Sequence, residues 1–308
     1  MCLKIIKETA MKVGLIGAGN IGQHFATRIL AAGHELVIFD LNKEVLSRFK
    51  SLGAEVADSV SDLASRVTDV YLCLPVPAAV KSVAEQAVTG SMIKMLIDLS
   101  TTGPSVTKEV HEILSSREIS FLSAPVSGGT VAAQHGTLAI MAAGDSEAFK
   151  KSEAILKIIG KNIFFLGEDP SLGQTMKIIN NTLYATSMLA SCEALVYGVK
   201  AGLDSKTMLD VLNVSSGRSF ATLERIPQCA LDRSFPVRFT TELLHKDIKM
   251  CLDEAEKIGA PMFINQNARQ FLAFAMTQGD GPKDNLFPMR HFEEWAGVQF
   301  GEKADSKK

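Results

Sequence analysis

The run Gly17-Ala18-Gly19-Asn20-Ile21-Gly22, followed by Asp40, has the spacing of a phosphate cradle with an acid to match. In a GxGxxG turn between a strand and a helix, Gly17 makes the tight turn. Gly19 lets the backbone approach a pyrophosphate, and Gly22 permits close helix packing. Asn20 and Ile21 lead into that helix, whose free N–H groups and positive dipole end face the phosphates. Asp40 lies 18 residues after Gly22, where a carboxylate accepts hydrogen bonds from both hydroxyls of an adenosine ribose and repels a 2′-phosphate. NAD is therefore expected over NADP; Leu41-Asn42-Lys43 supplies no Arg, and Lys43 alone helps NADP only weakly. A plain strand-to-helix turn with Asp40 as a helix cap is the alternative, but it leaves the register of strand, turn, helix, strand and acid unexplained. Leu74 and Pro75 close a later strand near where the cofactor belongs, although a simple turn accounts for these residues equally well.

A second set carries proton chemistry. Lys177 and Asn181 are spaced i, i+4 on a long apolar helix, so they share one face and one volume. A lone Lys there is more often a snorkelling surface residue. Asn181 one turn on, and Gly173 breaking the chain before the helix, favour function. When a hydride leaves or reaches a carbonyl carbon, charge moves on the oxygen, and an ammonium within hydrogen-bond reach neutralises it and exchanges the proton. Starting from a reference pKa of ~10.4, such a Lys needs burial to act as a base near neutrality. Ser127-Gly128-Gly129 follows a strand; its backbone N–H groups and hydroxyl suit a substrate carboxylate. On the residues alone, a glycine turn explains that segment slightly better.

These residues need a scaffold, and the chain spells one. Apolar strand-like runs at 12–17, 35–40, 70–74, 95–99, 119–122, 138–142 and 162–166 alternate with helical patterns, the signature of an α/β, Rossmann-type doubly wound sheet. Beyond Pro170 strand signals largely stop. Helical patterns at 174–200, 205–212, 218–232, 240–258 and 261–278 make the second domain all-helical. The expected division is an extension at 1–11, a nucleotide-binding domain at 12–170, a helical substrate and dimerisation domain at 171–300, and a tail at 301–308. The first long helix is apolar nearly all round, which calls for burial in a homodimer or homotetramer.

Composition narrows the partners. The 308 residues carry 32 Lys plus Arg against 34 Asp plus Glu, a net charge of −2, so no basic field awaits nucleic acid. No stretch approaches the ~20 uncharged residues of a membrane span. Five scattered cysteines and six histidines show no metal-ligand spacing, so no metal is expected, and reduced thiols with no visible export signal point to the cytoplasm.

Taken in order, the motifs resemble the β-hydroxyacid dehydrogenase family from about Lys12 to Phe300. Beyond the fingerprint these are Asp98-Leu99-Ser100-Thr101-Thr102-Gly103-Pro104, Ala124-Pro125-Val126-Ser127-Gly128-Gly129 with Gly136-Thr137-Leu138, Gly173-Gln174-Thr175-Met176-Lys177-Ile178-Ile179-Asn180-Asn181, and His245-Lys246-Asp247. The resemblance implies that Thr101 lies beside the nicotinamide, that Ser127, Gly128 and Gly129 bind substrate, and that Lys177 and Asn181 are catalytic. It also implies that Lys246 sits near nicotinamide and carboxylate, with Asp247 its structural partner. A surface ion pair is the plainer reading of those last two. Ser123 stands where many relatives carry Asp, and Ala132 where many carry Gly, departures that bear on the substrate. Lys177 separates the chain from imine reductases and from silent relatives. The expected activity is NAD-dependent interconversion of a small 3-hydroxy acid and its semialdehyde, nearest the 3-hydroxyisobutyrate branch. Tartronate semialdehyde reductase or threonate-type activity is the alternative within the family, and a non-catalytic dinucleotide sensor or interaction subunit the alternative outside it. Phe239, Phe235 and Leu231 are candidates for an apolar pocket lining.

Overall fold

The computed structural model describes residues 10–301, so the expected extension and tail lie almost wholly outside the described residues. The chain divides into two compact units, Met1–Lys177 and Ile178–Lys308, and the division falls inside a helix rather than before it.

In the first unit, strands and helices alternate: β1 (Lys12–Ile16), α1 (Gly22–Ala31), β2 (Glu35–Phe39), α2 (Lys43–Ser51), β3 (Glu55–Val56), α3 (Val60–Ala64), β4 (Asp69–Leu72), α4 (Pro77–Ala87), β5 (Met95–Asp98) and α5 (Pro104–Ser115). There follow β6 (Ser120–Ser123), β7 (Val126–Ser127), α6 (Gly129–His135), β8 (Leu138–Gly144), α7 (Ser146–Ile159), β9 (Gly160–Phe165) and the start of α8 (Ser171–Lys200). The sheet order is β3-β2-β1-β4-β5-β6-β8-β7, with β9 paired to β8. Successive side chains of a strand point to opposite faces. Leu15, Tyr71 and Ile97 accordingly enter the layer beneath α1 and α7, while Ile16, Leu72 and Leu96 enter the layer beneath α3, α4 and α5. Strands that feed two cores must be apolar throughout, which is why they are legible as continuous runs.

The sheet is parallel from β3 to β6. β8 runs antiparallel to β6 and β7, and β9 runs parallel to β8. β3 and β7, two residues each, are too short to leave a pattern in the sequence. Strand order reverses between β1 and β4, and in open α/β sheets ligands bind beyond the carboxyl ends of the strands at such a switch point.

The second unit is helical. It takes the rest of α8, then α9 (Ser205–Asn213), α10 (Thr241–Lys257), α11 (Phe263–Thr277) and α12 (Met289–Ala296), around a core that includes Met188, Leu195, Leu244, Ile248, Leu272 and Phe300. The helical segment expected at 218–232 is instead a π-helical turn at Ala221–Arg225 followed by irregular turns. Pro227 lacks the N–H that would carry a regular helix onward. α12 was not anticipated, although Gly297 ends it in the left-handed conformation that favours glycine (φ 65°). Leu231, Phe235 and Phe239 pack half-buried against this unit's core. Among the described residues, no helix is long and apolar enough to cross a membrane.

Candidate active site

The fingerprint sits at the switch point. Gly17 has φ 92°, and a Cβ there would lie 2.4 Å from the carbonyl oxygen of Cys73, the residue after β4. A Cβ on Gly22 would lie 2.1 Å from the Gly17 carbonyl oxygen, so turn and helix touch backbone to backbone. Gly19 differs: a Cβ would meet nothing within 4 Å, which leaves an open bare backbone for a pyrophosphate to approach. No side chain caps α1 at Ile21. These features fit a dinucleotide. Asp40 follows β2, with Oδ2 accepting the Ala18 N–H at 2.7 Å and Oδ1 the Asn42 N–H at 2.8 Å. Its carboxylate is thus fastened to the fingerprint itself and retains lone pairs for further hydroxyl donors. Burial first and Asp98 second push the thiol of Cys73, beside the fingerprint, up to about 12, which disfavours its thiolate.

A buried polar network ties the neighbouring strand ends together. Ser100 Oγ accepts the Leu74 N–H at 2.9 Å, which anchors the Leu74-Pro75 segment to the loop after β5. Asp98 accepts from the Ser100 N–H at 2.9 Å and from Thr102 Oγ1 at 3.4 Å. Burial pushes its carboxyl up to about 6, and the hydrogen bonds from Ser100 and Thr102 pull against that rise. Gln174, in the first turn of α8, reaches into the same network. Its Oε1 accepts the N–H groups of Thr102 (2.9 Å) and Gly103 (3.3 Å), and its Nε2 donates to Ser100 O (3.0 Å) and Ser123 Oγ (3.1 Å). Thr101, half-buried, is therefore held from both sides. Ser123, noted only as a departure from the family, is a partner in this network. Sequence reasoning passed over Gln174 because polar side chains are ordinary at a helix start; its place one turn before Lys177 was the available signal.

Lys177 is only 7% exposed, as is Asn181. That burial is at odds with a snorkelling surface Lys, and both residues lie on one face of α8. In the second unit Asn181 Nδ2 donates to Asp247 Oδ2, at 2.6 Å, and Lys246 Nζ lies 3.0 Å from Asp247 Oδ1. The Lys246–Asp247 pair is thus no plain surface contact, since Asp247 is buried. Asp247 thus fixes the amide orientation of Asn181, whose Oδ1 accepts from Asn180 Nδ2 at 3.1 Å.

Ser127 ends β7, and Gly128 and Gly129 follow with φ 129° and 69°. A Cβ on Gly128 would lie 2.5 Å from the Ala132 Cβ, so Ala132 itself makes that glycine necessary. Without side chains, these two glycines leave the backbone N–H groups open to approach, and a Cβ on Gly129 would meet nothing within 4 Å.

Comparisons with known proteins identify the family. Residues 12–167 match the model described as NAD binding domain of 6-phosphogluconate dehydrogenase, and residues 171–291 the model described as NAD-binding of NADP-dependent 3-hydroxyisobutyrate dehydrogenase. The chain belongs to the β-hydroxyacid dehydrogenase family. It is 35% identical over 288 residues to a probable mitochondrial 3-hydroxyisobutyrate dehydrogenase of Dictyostelium discoideum, covering 90% of this chain and 89% of that protein. It is 30% identical over 297 residues to the 2-(hydroxymethyl)glutarate dehydrogenase of Eubacterium barkeri, covering 94% and 98%. Among solved structures, a Mycobacterium tuberculosis 3-hydroxyisobutyrate dehydrogenase with L-serine superimposes with a TM-score of 0.85 at 25% identity, covering 92% of this chain and 99% of that one. Family membership makes this chain an oxidoreductase of the hydroxyacid dehydrogenase type that uses a nicotinamide dinucleotide.

Proposed function

We propose that the protein is an NAD-dependent 3-hydroxyacid dehydrogenase of the 3-hydroxyisobutyrate type, with Lys177 as general acid and base. The observation that carries this reading is a buried Lys one helical turn before a buried Asn whose amide is oriented by Asp247. A bound nicotinamide would supply the redox chemistry, as hydride acceptor from the carbinol carbon in oxidation and hydride donor to the carbonyl carbon in reduction. In oxidation, Lys177 as the free amine takes the hydroxyl proton while the carbinol carbon gives up its hydride; in reduction, its ammonium returns the proton to the forming oxygen. Asn181 holds the hydroxyl or the Lys in line. Ser127, Gly128 and Gly129 bind the carboxylate. Thr101 and Lys246 are assigned to the nicotinamide side by family resemblance alone.

Asp40 supports NAD as the cofactor. Both of its oxygens are fixed beside the fingerprint, and a 2′-phosphate there would meet a carboxylate. The named relatives keep the substrate class open between short hydroxy acids and longer diacids such as 2-(hydroxymethyl)glutarate. The free thiols of Cys73, Cys192, Cys229 and Cys251 support a reducing compartment such as the cytoplasm.

The test is a reduction screen of NAD+ and of NADP+ over 3-hydroxyisobutyrate, glycerate, threonate, 4-hydroxybutyrate and 2-(hydroxymethyl)glutarate. We expect 3-hydroxyisobutyrate to give the highest kcat/KM, and NAD+ to be preferred at least tenfold. Equal use of NADP+ would mean that Asp40 does not govern the cofactor, and inactivity toward all five acids would leave the dinucleotide-sensor reading standing.

A further inference from the structure

We propose that Gln174 is a positioning residue for the reaction: its side chain locks the Ser100–Gly103 loop to the first turn of α8 and so fixes Lys177 against that loop. The inference rests on the reading of Lys177 as proton carrier. Gln174 is wholly buried, and a side-chain amide offers two donors and one oxygen with two lone pairs. All four are engaged: two backbone N–H groups of the loop on the oxygen, and one backbone carbonyl and the Ser123 hydroxyl on the nitrogen. No other uncharged side chain of this length supplies two donors and a double acceptor, so neither Met nor Glu reproduces the set.

The lock also spans several strands. Ser100, whose carbonyl takes one Gln174 N–H, holds the Leu74 N–H through its hydroxyl, and Ser123 ends β6. The carboxyl ends of β4, β5 and β6 therefore meet α8 through one side chain. Gly173, the preceding residue, has no room for a Cβ, which would lie 2.5 Å from the Met141 carbonyl oxygen. Backbone contact sets the depth of the helix start, and the Gln174 amide sets its register on the loop. Lys177 stands one turn further along the same helix. Reacting groups misplaced by about 1 Å can lose 10²-fold in rate, so a lock at this point acts on the proton-transfer geometry.

The test is Gln174→Met, near in volume and without hydrogen bonds, assayed on the full chain with NAD+ and the best acid from the screen. Per folded molecule, kcat should fall about 10- to 100-fold while the dissociation constant for NADH, followed by its fluorescence, stays within about threefold. The primary deuterium isotope effect on kcat, with substrate labelled at the hydride-donating carbon, should rise. In a Lys177→Ala background the loss from Gln174→Met should shrink, as expected of residues that act as a unit. A folded Gln174→Met enzyme with unchanged kcat and isotope effect overturns the proposal, and so do additive losses. Should Gln174→Met not fold, Ser123→Ala removes one of the four bonds; a raised isotope effect supports the lock and an unchanged one overturns it. Undiminished kcat in Lys177→Ala alone would instead refute the acid–base reading, which keeps the two failures distinct.

Discussion

Single residues account for most of what chemistry this chain can do, and those whose demands are local were the ones visible in the sequence. Gly17, Gly19, Gly22 and Asp40 are specified by backbone geometry within a short span, so type and spacing suffice to find them. Gln174 acts through partners far along the chain, in the loop after β5 and at the end of β6, and no local pattern distinguishes it from ordinary polar residues. Asp98 bonds to its near neighbours Ser100 and Thr102, and it is the burial of that turn which the local pattern does not show. Asp98 yields a prediction from its environment. Its folded-state pKa of about 6 lies above the ~3.9 of an unfolded Asp. The folded chain therefore holds that proton more tightly than the unfolded chain. The resulting stabilisation is complete below about pH 4 and is lost as pH rises through 6, a change on the order of 3 kcal/mol. Asp98→Asn keeps an acceptor for the Ser100 N–H but has no proton to lose. Urea midpoints measured at pH 4.5 and pH 7.5 should show the wild type losing ground to the variant at the higher pH; a gap independent of pH would contradict the burial argument.

At the scale of elements, regular pieces were legible and irregular ones were not. The buried parallel strands and the long helix announce themselves through continuous apolar runs and periodicity. The segment between α9 and α10 does not, because it is held by a buried ion pair rather than by repeating contacts. Arg225 in the π-helical turn donates to both oxygens of Asp284 at 2.8 and 2.9 Å, and Asp284 also accepts the backbone N–H groups of Arg238 (3.0 Å) and Leu286 (3.1 Å). A single carboxylate thus organises the approaches to α10 and α12. Removing it leaves a buried guanidinium unpaired, at a cost of about 3–5 kcal/mol. Asp284→Ala should lose stability of that order in chemical denaturation. A loss below about 1 kcal/mol, the scale of an exposed pair, would show that the segment is held by other contacts.

For the whole molecule, α8 raises the question of assembly. As its sequence leads one to expect, it is apolar on more than its buried side: it also exposes Leu172, Met176, Ile179 and Leu183 at intervals of three and four, with Tyr197 further along. Such a stripe on a long helix is the usual mark of a partner helix. We propose a homodimer or homotetramer with this stripe in the interface. Light scattering should give an integral multiple of the chain mass, and Leu183→Glu should lower it; a wild-type monomer at micromolar concentration would refute the assembly. The near-neutral charge of the chain suits this picture, since local anion sites need no strong overall field. The most direct test of the account as a whole is single-turnover kinetics of Lys177→Ala beside the wild type. A general acid–base group contributes at least ~10²-fold, so hydride transfer should slow by that factor while NADH binds as before. Transfer at the wild-type rate in a variant that binds cofactor normally would contradict the assignment of Lys177 as the proton carrier.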